Sequence, residues 1–174
     1  MVKYTFNIPS INNPDEVEKM LSSIKSQTYK NYKVIIVDAS KDNRVKNIVK
    51  RFGFRYVHST PGLPHQRNVG FGAAKGDWII WLDSDHYINK NFLKELDKFI
   101  RHTNYKCISV SHTFIARTFF QKIILAGHQF HNRKLHKVSI FHGGGIPIVL
   151  HKSVFKDIGK FDENLYYGED RDYE

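Results

Sequence analysis

The sequence predicts an α/β fold in which helices cover both faces of a central, mainly parallel sheet. Four short runs of β-branched and aromatic residues, 3–8, 33–37, 54–57 and 78–82, have the length and composition of strands. Segments with helical spacing separate these runs, and such alternation is typical of parallel strands joined by helical crossovers. Ligands of parallel sheets bind at the carboxyl ends of the strands, so we expect the functional residues to follow the strands.

The first predicted helix begins shortly after the first strand. Asn13 and Pro14 form a start signal, and Asp15 and Glu16 in the first turn complement the positive end of the helix dipole. This pattern predicts a well-capped amphipathic helix. The remaining predicted elements are helices over 45–52, 64–74 and 92–100 and a strand over 106–110.

The composition sets the broad class of the protein. A chain of 174 residues with 41% hydrophobic residues can bury one core, so we predict a single domain over 1–174. Its formal net charge of +10 attracts anions without choosing among nucleic acid, anionic lipid and phosphorylated small molecules. A single cysteine, Cys107, excludes an internal disulfide, and no run of 18 uncharged apolar residues occurs. We therefore expect a cytoplasmic protein that is soluble or peripherally membrane-associated.

Residues 114–135 carry the pattern of a further amphipathic helix. Phe119 and Ile123 are interleaved with Arg117 and Lys122 in this segment. Packing against the core is the favoured role of the apolar side, and a peripheral membrane contact or an acceptor-docking face is the alternative.

The clearest chemical signal is a pair of carboxylates, Asp83 and Asp85, directly after the apolar strand WIIWL. At the end of a strand, side chains two positions apart project to the same side, so both carboxylates can face one ligand. A cation such as Mg²⁺ or Mn²⁺ would relieve their repulsion and bridge to diphosphate oxygens. The alternative is a loop cap beside a solvated charge, because this spacing alone is common.

Two further polar residues are placed near the same sheet edge. Asp38 ends the second strand, where it can accept a hydrogen bond from a nucleobase or ribose; the alternative is an N-cap of the next helix. Arg67 lies in the first turns of the third helix, where a guanidinium can bind a diphosphate; the alternative is a surface arginine.

An acidic cluster, Glu169 and Asp170, stands near the end of this basic chain. A carboxylate in that position can take the proton of an acceptor hydroxyl as the new bond forms. Acids in a first helical turn also complement the helix dipole, and both roles can hold together.

In chain order these pieces resemble glycosyltransferase family 2, a large family of enzymes with the GT-A fold. The resemblance covers essentially the whole chain, with two departures: Ala39 replaces a second acid, and His86 replaces a third. The motifs that carry it are FNIPSINN at 6–13, SQTY at 26–29, YKVIIVD at 32–38, QRNVG at 66–70, GDWIIWLDSD at 76–85, GGG at 143–145, IGKFDE at 158–163 and GED at 168–170.

The resemblance implies an enzyme that moves a sugar from a UDP- or GDP-linked donor to an acceptor hydroxyl with Mn²⁺ or Mg²⁺. Asp85 would be the direct metal ligand, and Asp83 would share the metal site and contact the ribose or donor sugar. Asp170 would be the catalytic base of an inverting displacement, with Glu169 and Gly144 on the acceptor side. The donor-site residues implied are Pro9, Ser10, Asp38, Arg67, Asp83, Ser84 and Asp85.

The resemblance also divides the domain into two halves. It implies a nucleotide-sugar-binding half over 1–105 and an acceptor-binding half over 106–174, which we expect to be truncated at its C-terminal end. The acceptor, whether glycan, lipid or protein, and the oligomeric state are left open.

Two other classes of protein compete with this interpretation. A nucleotidyltransferase also combines an α/β sheet with acids and a metal, but it would be expected to begin with a Gly-rich, Arg-containing phosphate loop rather than FNIPSINNP. A nucleic-acid-binding protein would suit the charge of +10. Acids clustered at one sheet edge oppose that function, so nucleic acid is not expected as a partner.

Overall fold

A computed structural model describes residues 3–110 and 147–165 of the chain. These residues form six strands and five helices. In chain order they are β1 (Tyr4–Ser10), α1 (Pro14–Lys25), β2 (Tyr32–Asp38), α2 (Arg44–Phe52), β3 (Arg55–His58), α3 (Leu63–Ala73), β4 (Trp78–Trp81), α4 (Phe92–Arg101), β5 (Cys107–Ser109), β6 (Ile148–His151) and α5 (Lys152–Ile158).

The strands form one mixed sheet in the order β3-β2-β1-β4-β6-β5. Strands β1 to β4 are mutually parallel, whereas β6 runs antiparallel to both of its neighbours. The mainly parallel sheet is therefore confirmed. The order also places β1 between β2 and β4, so the loops that follow these three strands meet at one edge.

The core has two layers, one on each face of the sheet. Side chains of α1, α2 and α4 pack on one face around Phe6, Ile8 and Ile36. On the other face, α3 and α5 pack around Val37 and Trp81. All seven residues of β1 are buried, which is typical of a central strand.

Polar side chains of β1 fix the position of α3. Thr5 Oγ1 accepts a hydrogen bond from the backbone N–H of Gly76 at 2.9 Å. Asn7 Nδ2 donates to the backbone carbonyl of Arg67 at 2.8 Å, and both partners are buried. Gly70 lies against the Asn7 side chain so closely that an added Cβ would stand 1.8 Å from Asn7 Oδ1. The helix therefore approaches the strand at a point where only glycine fits.

Three elements depart from the expectations. The sequence pattern did not predict β6 and α5. The prediction that the Asn13 side chain caps α1 was wrong, because this side chain makes no capping hydrogen bond. Its side chain bonds to Ser10 and Ser84 instead, and only its backbone carbonyl enters the helix, accepting from Val17 N at 3.1 Å.

Several predictions fall outside the described residues. They concern the 114–135 segment, Gly144, Glu169 and Asp170. The division of the domain at residue 105 also stays a prediction, although β5 and β6 complete the same sheet as β1 to β4. Within 3–110 and 147–165, every helix is too short or too polar to cross a membrane.

Candidate active site

A cleft of about 580 Å³ opens where β1 and β4 end and α3 begins. Five of the seven predicted donor-site residues line it: Pro9, Ser10, Asp83, Ser84 and Asp85. The cleft is also lined by residues that the sequence did not single out, namely Ile11, Asn13, Glu16, Gly62, Leu63 and Gln66. The expectation that ligand-binding residues gather at this sheet edge agrees with the position of the cleft.

The acidic loop after β4 is a tight turn. His86 N donates to the carbonyl of Asp83 at 3.1 Å, which folds the chain back over four residues. The Asp83 side chain is 39% exposed and that of Asp85 is 73% exposed. His86 Nδ1 lies 3.4 Å from Asp85 Oδ1 and 4.0 Å from Asp83 Oδ2. The turn therefore brings two carboxylates and one imidazole to the same place.

Arg67 lies beneath this loop rather than in the cleft. Its side chain is only 2% exposed, and its Nη2 lies 3.3 Å from Asp83 Oδ1. Its guanidinium also lies 5.6 Å from the centre of the Phe161 ring. Partial withdrawal from water raises the pKa of Asp83, and Asp85 adds to the rise, while Arg67 and His86 oppose it. Arg67 thus opposes the rise in the pKa of Asp83 that burial causes.

Asn13 joins the two loops of the cleft. Ser10 Oγ donates to Asn13 Oδ1 at 2.9 Å, and Asn13 Nδ2 donates to Ser84 Oγ. This chain of hydrogen bonds connects the end of β1 with the acidic loop. The sequence signal was present but misread, because an asparagine before Pro14 has the appearance of a helix cap.

Asp38 is closer to the core than the sequence predicted. The residue is fully buried and accepts hydrogen bonds from Ser40 Oγ at 2.7 Å and Tyr56 Oη at 3.1 Å. Burial, and then the Asp38 carboxylate, raise the pKa of Tyr56 to about 12. A nucleotide would reach the carboxylate only if Ser40 or Tyr56 moved, so the base or ribose contact stays a prediction.

Helix α3 ties the cleft to the segment after α5. Gln66 Nε2 donates to the carbonyls of Ser10 at 3.0 Å and Val37 at 2.7 Å, which holds the ends of β1 and β2 together. The Asn68 side chain makes two hydrogen bonds of 3.0 Å with the backbone of Phe161.

Glu163 completes the tie to α3. It lies 2.8 Å from both Asn68 Nδ2 and His65 Nδ1, and these two contacts lower the pKa of its carboxyl. The four successive residues 65–68 therefore bond to the ends of β1 and β2, to the acidic loop and to the segment after α5. The QRN motif did not reveal this role on its own.

Comparison with known proteins identifies the family. Residues 5–159, most of the chain, match the family described as Glycosyl transferase family 2. The chain belongs to this family. This assignment favours the first interpretation of the sequence over the nucleotidyltransferase and nucleic-acid-binding alternatives.

The family 2 chain is similar to glycosyltransferases that are considerably longer. It is 28% identical over 183 aligned positions to an uncharacterized glycosyltransferase of Rickettsia typhi, covering 95% of this chain and 55% of that protein. It is 28% identical over 109 residues to the poly(ribitol-phosphate) β-N-acetylglucosaminyltransferase TarS of Staphylococcus aureus, covering 58% of this chain and 19% of TarS. The chain thus spans between about a fifth and just over half of these relatives.

Solved structures of the GT-A fold match the family 2 chain. The crystal structure of S. aureus TarS superimposes with a TM-score of 0.74 at 21% identity, covering 97% of this chain and 32% of that chain. A mannosyltransferase of Pyrobaculum calidifontis in complex with GDP-Man and Mn²⁺ superimposes with a TM-score of 0.69 at 19% identity, covering 94% and 48%. TarS 1-349 has also been crystallised with UDP and with UDP-GlcNAc. These likenesses establish the GT-A fold.

The acidic loop of this family 2 chain fits a divalent cation. One ligand atom from each of Asp83, Asp85 and His86 lies within 4.8 Å of the other two. Around an octahedral ion with ligands at about 2.1 Å, adjacent ligand atoms lie about 3.0 Å apart and opposite ones about 4.2 Å apart. The His86–carboxylate separations of 3.4 and 4.0 Å lie between these two distances.

Proposed function

We propose that this chain binds a nucleoside diphosphate sugar in the cleft and transfers the sugar to an acceptor hydroxyl, with dependence on a divalent cation. One observation carries the proposal: Asp83, Ser84 and Asp85 line the same cleft as the end of β1 and the loop that follows it. Family membership and the nucleotide-sugar complexes of proteins with the same fold support it.

The cleft offers both apolar and polar contacts to a nucleotide. Ile11 is 46% exposed and Leu63 is 38% exposed, and both line the cleft, so they can cover the faces of a base. Pro9, Ser10 and Ser84 line the polar part, where hydroxyls can bind ribose or sugar oxygens. Because proteins of this fold have been crystallised with both UDP- and GDP-linked donors, either base is a candidate.

Asp83 and Asp85 are the residues that would hold the cation. When bound there, Mn²⁺ or Mg²⁺ supplies Lewis-acid neutralisation of the charge that develops on the diphosphate leaving group. Arg67 holds Asp83 in place from below, and the Ser10–Asn13–Ser84 chain fixes the loop against β1. A direct contact of Arg67 with the diphosphate stays a prediction.

The acceptor side is proposed on the resemblance alone. Asp170 would take the proton of the attacking hydroxyl, with Glu169 and Gly144 beside the acceptor, and a single displacement would invert the anomeric centre. Within the acceptor-binding half that the resemblance implies, the structure describes Phe161 and Glu163, and Asn68 bonds both of them to α3 next to Arg67.

Nucleotide calorimetry tests the donor and cation proposals. UDP and GDP are titrated into the protein with Mn²⁺ and with EDTA, using wild type, Asp85→Ala and Asp77→Ala. Asp77 is an exposed carboxylate at the opposite end of β4 and is the matched control. We expect at least one nucleotide to bind at least ~10-fold more tightly with Mn²⁺, a difference of about 1.4 kcal/mol. This enhancement should persist in Asp77→Ala and vanish in Asp85→Ala.

Two results would contradict the proposals separately. The proposed cation dependence is wrong if nucleotide affinity is the same with Mn²⁺ and with EDTA and if Asp85→Ala binds nucleotide like wild type. The proposed nucleotide-sugar donor is wrong if UDP, GDP and their sugar conjugates all fail to bind under any condition.

A further inference from the structure

The acidic loop contains an imidazole, that of His86, where a third carboxylate would be expected from the resemblance. The backbone of His86 is held in the turn by a hydrogen bond of 3.1 Å from His86 N to the Asp83 carbonyl. The side chain of His86 is 23% exposed, and its Nδ1 faces both carboxylates rather than the solvent. An imidazole therefore stands at the edge of the proposed cation site.

The choice of nitrogen or oxygen matters to the identity of a cation. Mg²⁺ is a hard ion that strongly prefers oxygen ligands and holds its waters tightly. Mn²⁺ also binds mainly oxygen ligands, but as a first-row transition metal it accepts the nitrogen of a neutral imidazole more readily than Mg²⁺ does. A site built only of Asp83 and Asp85 would suit both ions, whereas adding an imidazole favours the transition metal.

We propose that His86 is a direct metal ligand and that it makes the cleft select Mn²⁺ over Mg²⁺. The inference rests on the proposed cation dependence, and it assigns the selectivity to one residue of this chain. It differs from a simple ion pair of His86 with Asp85, because an ion pair would affect both metals alike.

The test measures metal binding and the atoms that bind the metal. Mn²⁺ and Mg²⁺ are titrated into protein saturated with whichever of UDP or GDP binds, using wild type, His86→Ala, His86→Asp and His102→Ala. His102 is exposed, lies outside the cleft and bonds to the Lys98 carbonyl, so it is the matched control. Pulsed electron paramagnetic resonance of the Mn²⁺ complex then reports whether a protein nitrogen is bound to the ion.

If His86 is a metal ligand, its variants should differ from wild type in metal affinity. Removal of hydrogen-bond partners of a ligand typically lowers metal affinity about 10- to 100-fold, and removal of a ligand should cost no less. His86→Ala should therefore lower Mn²⁺ affinity at least ~10-fold but Mg²⁺ affinity by less than about threefold. His86→Asp should bring the two affinities closer together, and His102→Ala should match wild type. The wild-type spectrum should show nitrogen coupling that both His86 variants lack.

The negative outcomes are distinguishable. A wild-type Mn²⁺ spectrum without imidazole nitrogen coupling would overturn the inference even if the variants do not fold. So would an unchanged ratio of Mn²⁺ to Mg²⁺ affinity in His86→Ala. Absence of any metal binding in wild type would overturn the proposed cation dependence as well.

Discussion

The carboxylate of Asp38 is buried and bonded to side chains of the fold, so its first role is structural. Its two oxygens accept from Ser40 and Tyr56, and the residue is fully buried. A buried acceptor with satisfied partners stabilises the structure, and its removal leaves those partners unpaired. Asp38 therefore differs from Asp85, whose side chain is largely exposed in the cleft.

We predict that Asp38→Ala lowers the free energy of unfolding by about 1–3 kcal/mol, because Ser40 and Tyr56 lose their buried acceptor. Tyr56→Phe removes one of these hydrogen bonds without altering the carboxylate and should cost about 1 kcal/mol. Chemical denaturation measures both values. If Asp38→Ala unfolds like wild type but binds nucleotide more weakly, the base or ribose contact is the main role of this residue.

The sequence located Asp83 and Asp85 more easily than the amides. Both follow an apolar strand, and the turn closed by the hydrogen bond from His86 N to the Asp83 carbonyl brings them together. The roles of Asn13 and Gln66 depend on hydrogen bonds to loops that are distant in the sequence, so no local pattern could distinguish them from a cap or a helix surface. Arg67 was predicted in the right region, but its burial beneath Asp83 follows from the packing of α3 on β1.

At the scale of elements, α3 is held against the sheet by a polar contact with little free space. Asn7 of β1 bonds to the Arg67 carbonyl and fills the space beside Gly70. Because Arg67 bonds to Asp83 and Asn68 bonds to Phe161, the position of this helix sets the positions of the acidic loop and of the segment after α5. A small shift of α3 would move them together.

We predict opposite effects for two glycines of α3. Gly70→Ala places a Cβ 1.8 Å from Asn7 Oδ1, so it should destabilise the protein by about 1–3 kcal/mol, the usual cost of overpacking. Gly72→Ala meets nothing within 4 Å and should stabilise it by up to about 1 kcal/mol through helix propensity. Thermal unfolding of the two variants side by side measures the difference. Equal stability of the two would show that α3 does not press on β1 at this point.

The two elements that were not predicted, β6 and α5, are short, with four and seven residues. Strand β6 has only four residues, Ile148–His151, and it pairs with β4 about seventy positions earlier. Its sequence, IVLH, is too short for periodicity to separate a strand from a helical turn. By contrast, β1 to β4 alternate with helices of nine to twelve residues, a pattern that predicts its own pairing.

Over the whole molecule, one buried carboxylate joins the beginning of the chain to α4. Asp97 is 5% exposed and accepts hydrogen bonds from Lys3 at 2.6 Å, Tyr4 at 2.9 Å and Arg101 at 2.8 Å. Burial alone would raise the pKa of Asp97, but the hydrogen bonds from Lys3 and Tyr4 and the nearby cations outweigh it and lower the pKa. The ionised form is therefore favoured in the folded state.

This arrangement predicts a pH dependence of stability. Because the folded-state pKa lies below the unfolded value of about 3.9, the contribution of Asp97 is complete above that pH and is lost as the pH falls through the folded pKa. Asp97→Ala should lower the free energy of unfolding by about 1–3 kcal/mol at pH 7, and the difference from wild type should shrink below about pH 4. Urea denaturation across this range measures it.

The control for this prediction is Asp42→Ala. The ion pair of Asp42 with Arg44 is exposed on both sides, so its loss should leave the stability close to that of wild type. A difference between Asp97→Ala and wild type that stays constant down to pH 3 would contradict the role of the Asp97 charge.

The position of β6 in the sheet has a consequence for how the protein is synthesised. On a ribosome, residues 3–101 emerge well before β6, so β4 has β1 on one side and an unpaired edge on the other. That edge consists of the buried apolar run Trp78–Trp81, and exposed apolar edges recruit other strands. The strand that precedes the acidic loop therefore gains its second neighbour only when residues 148–151 have left the ribosome, and until then its apolar edge is open to pairing with other chains.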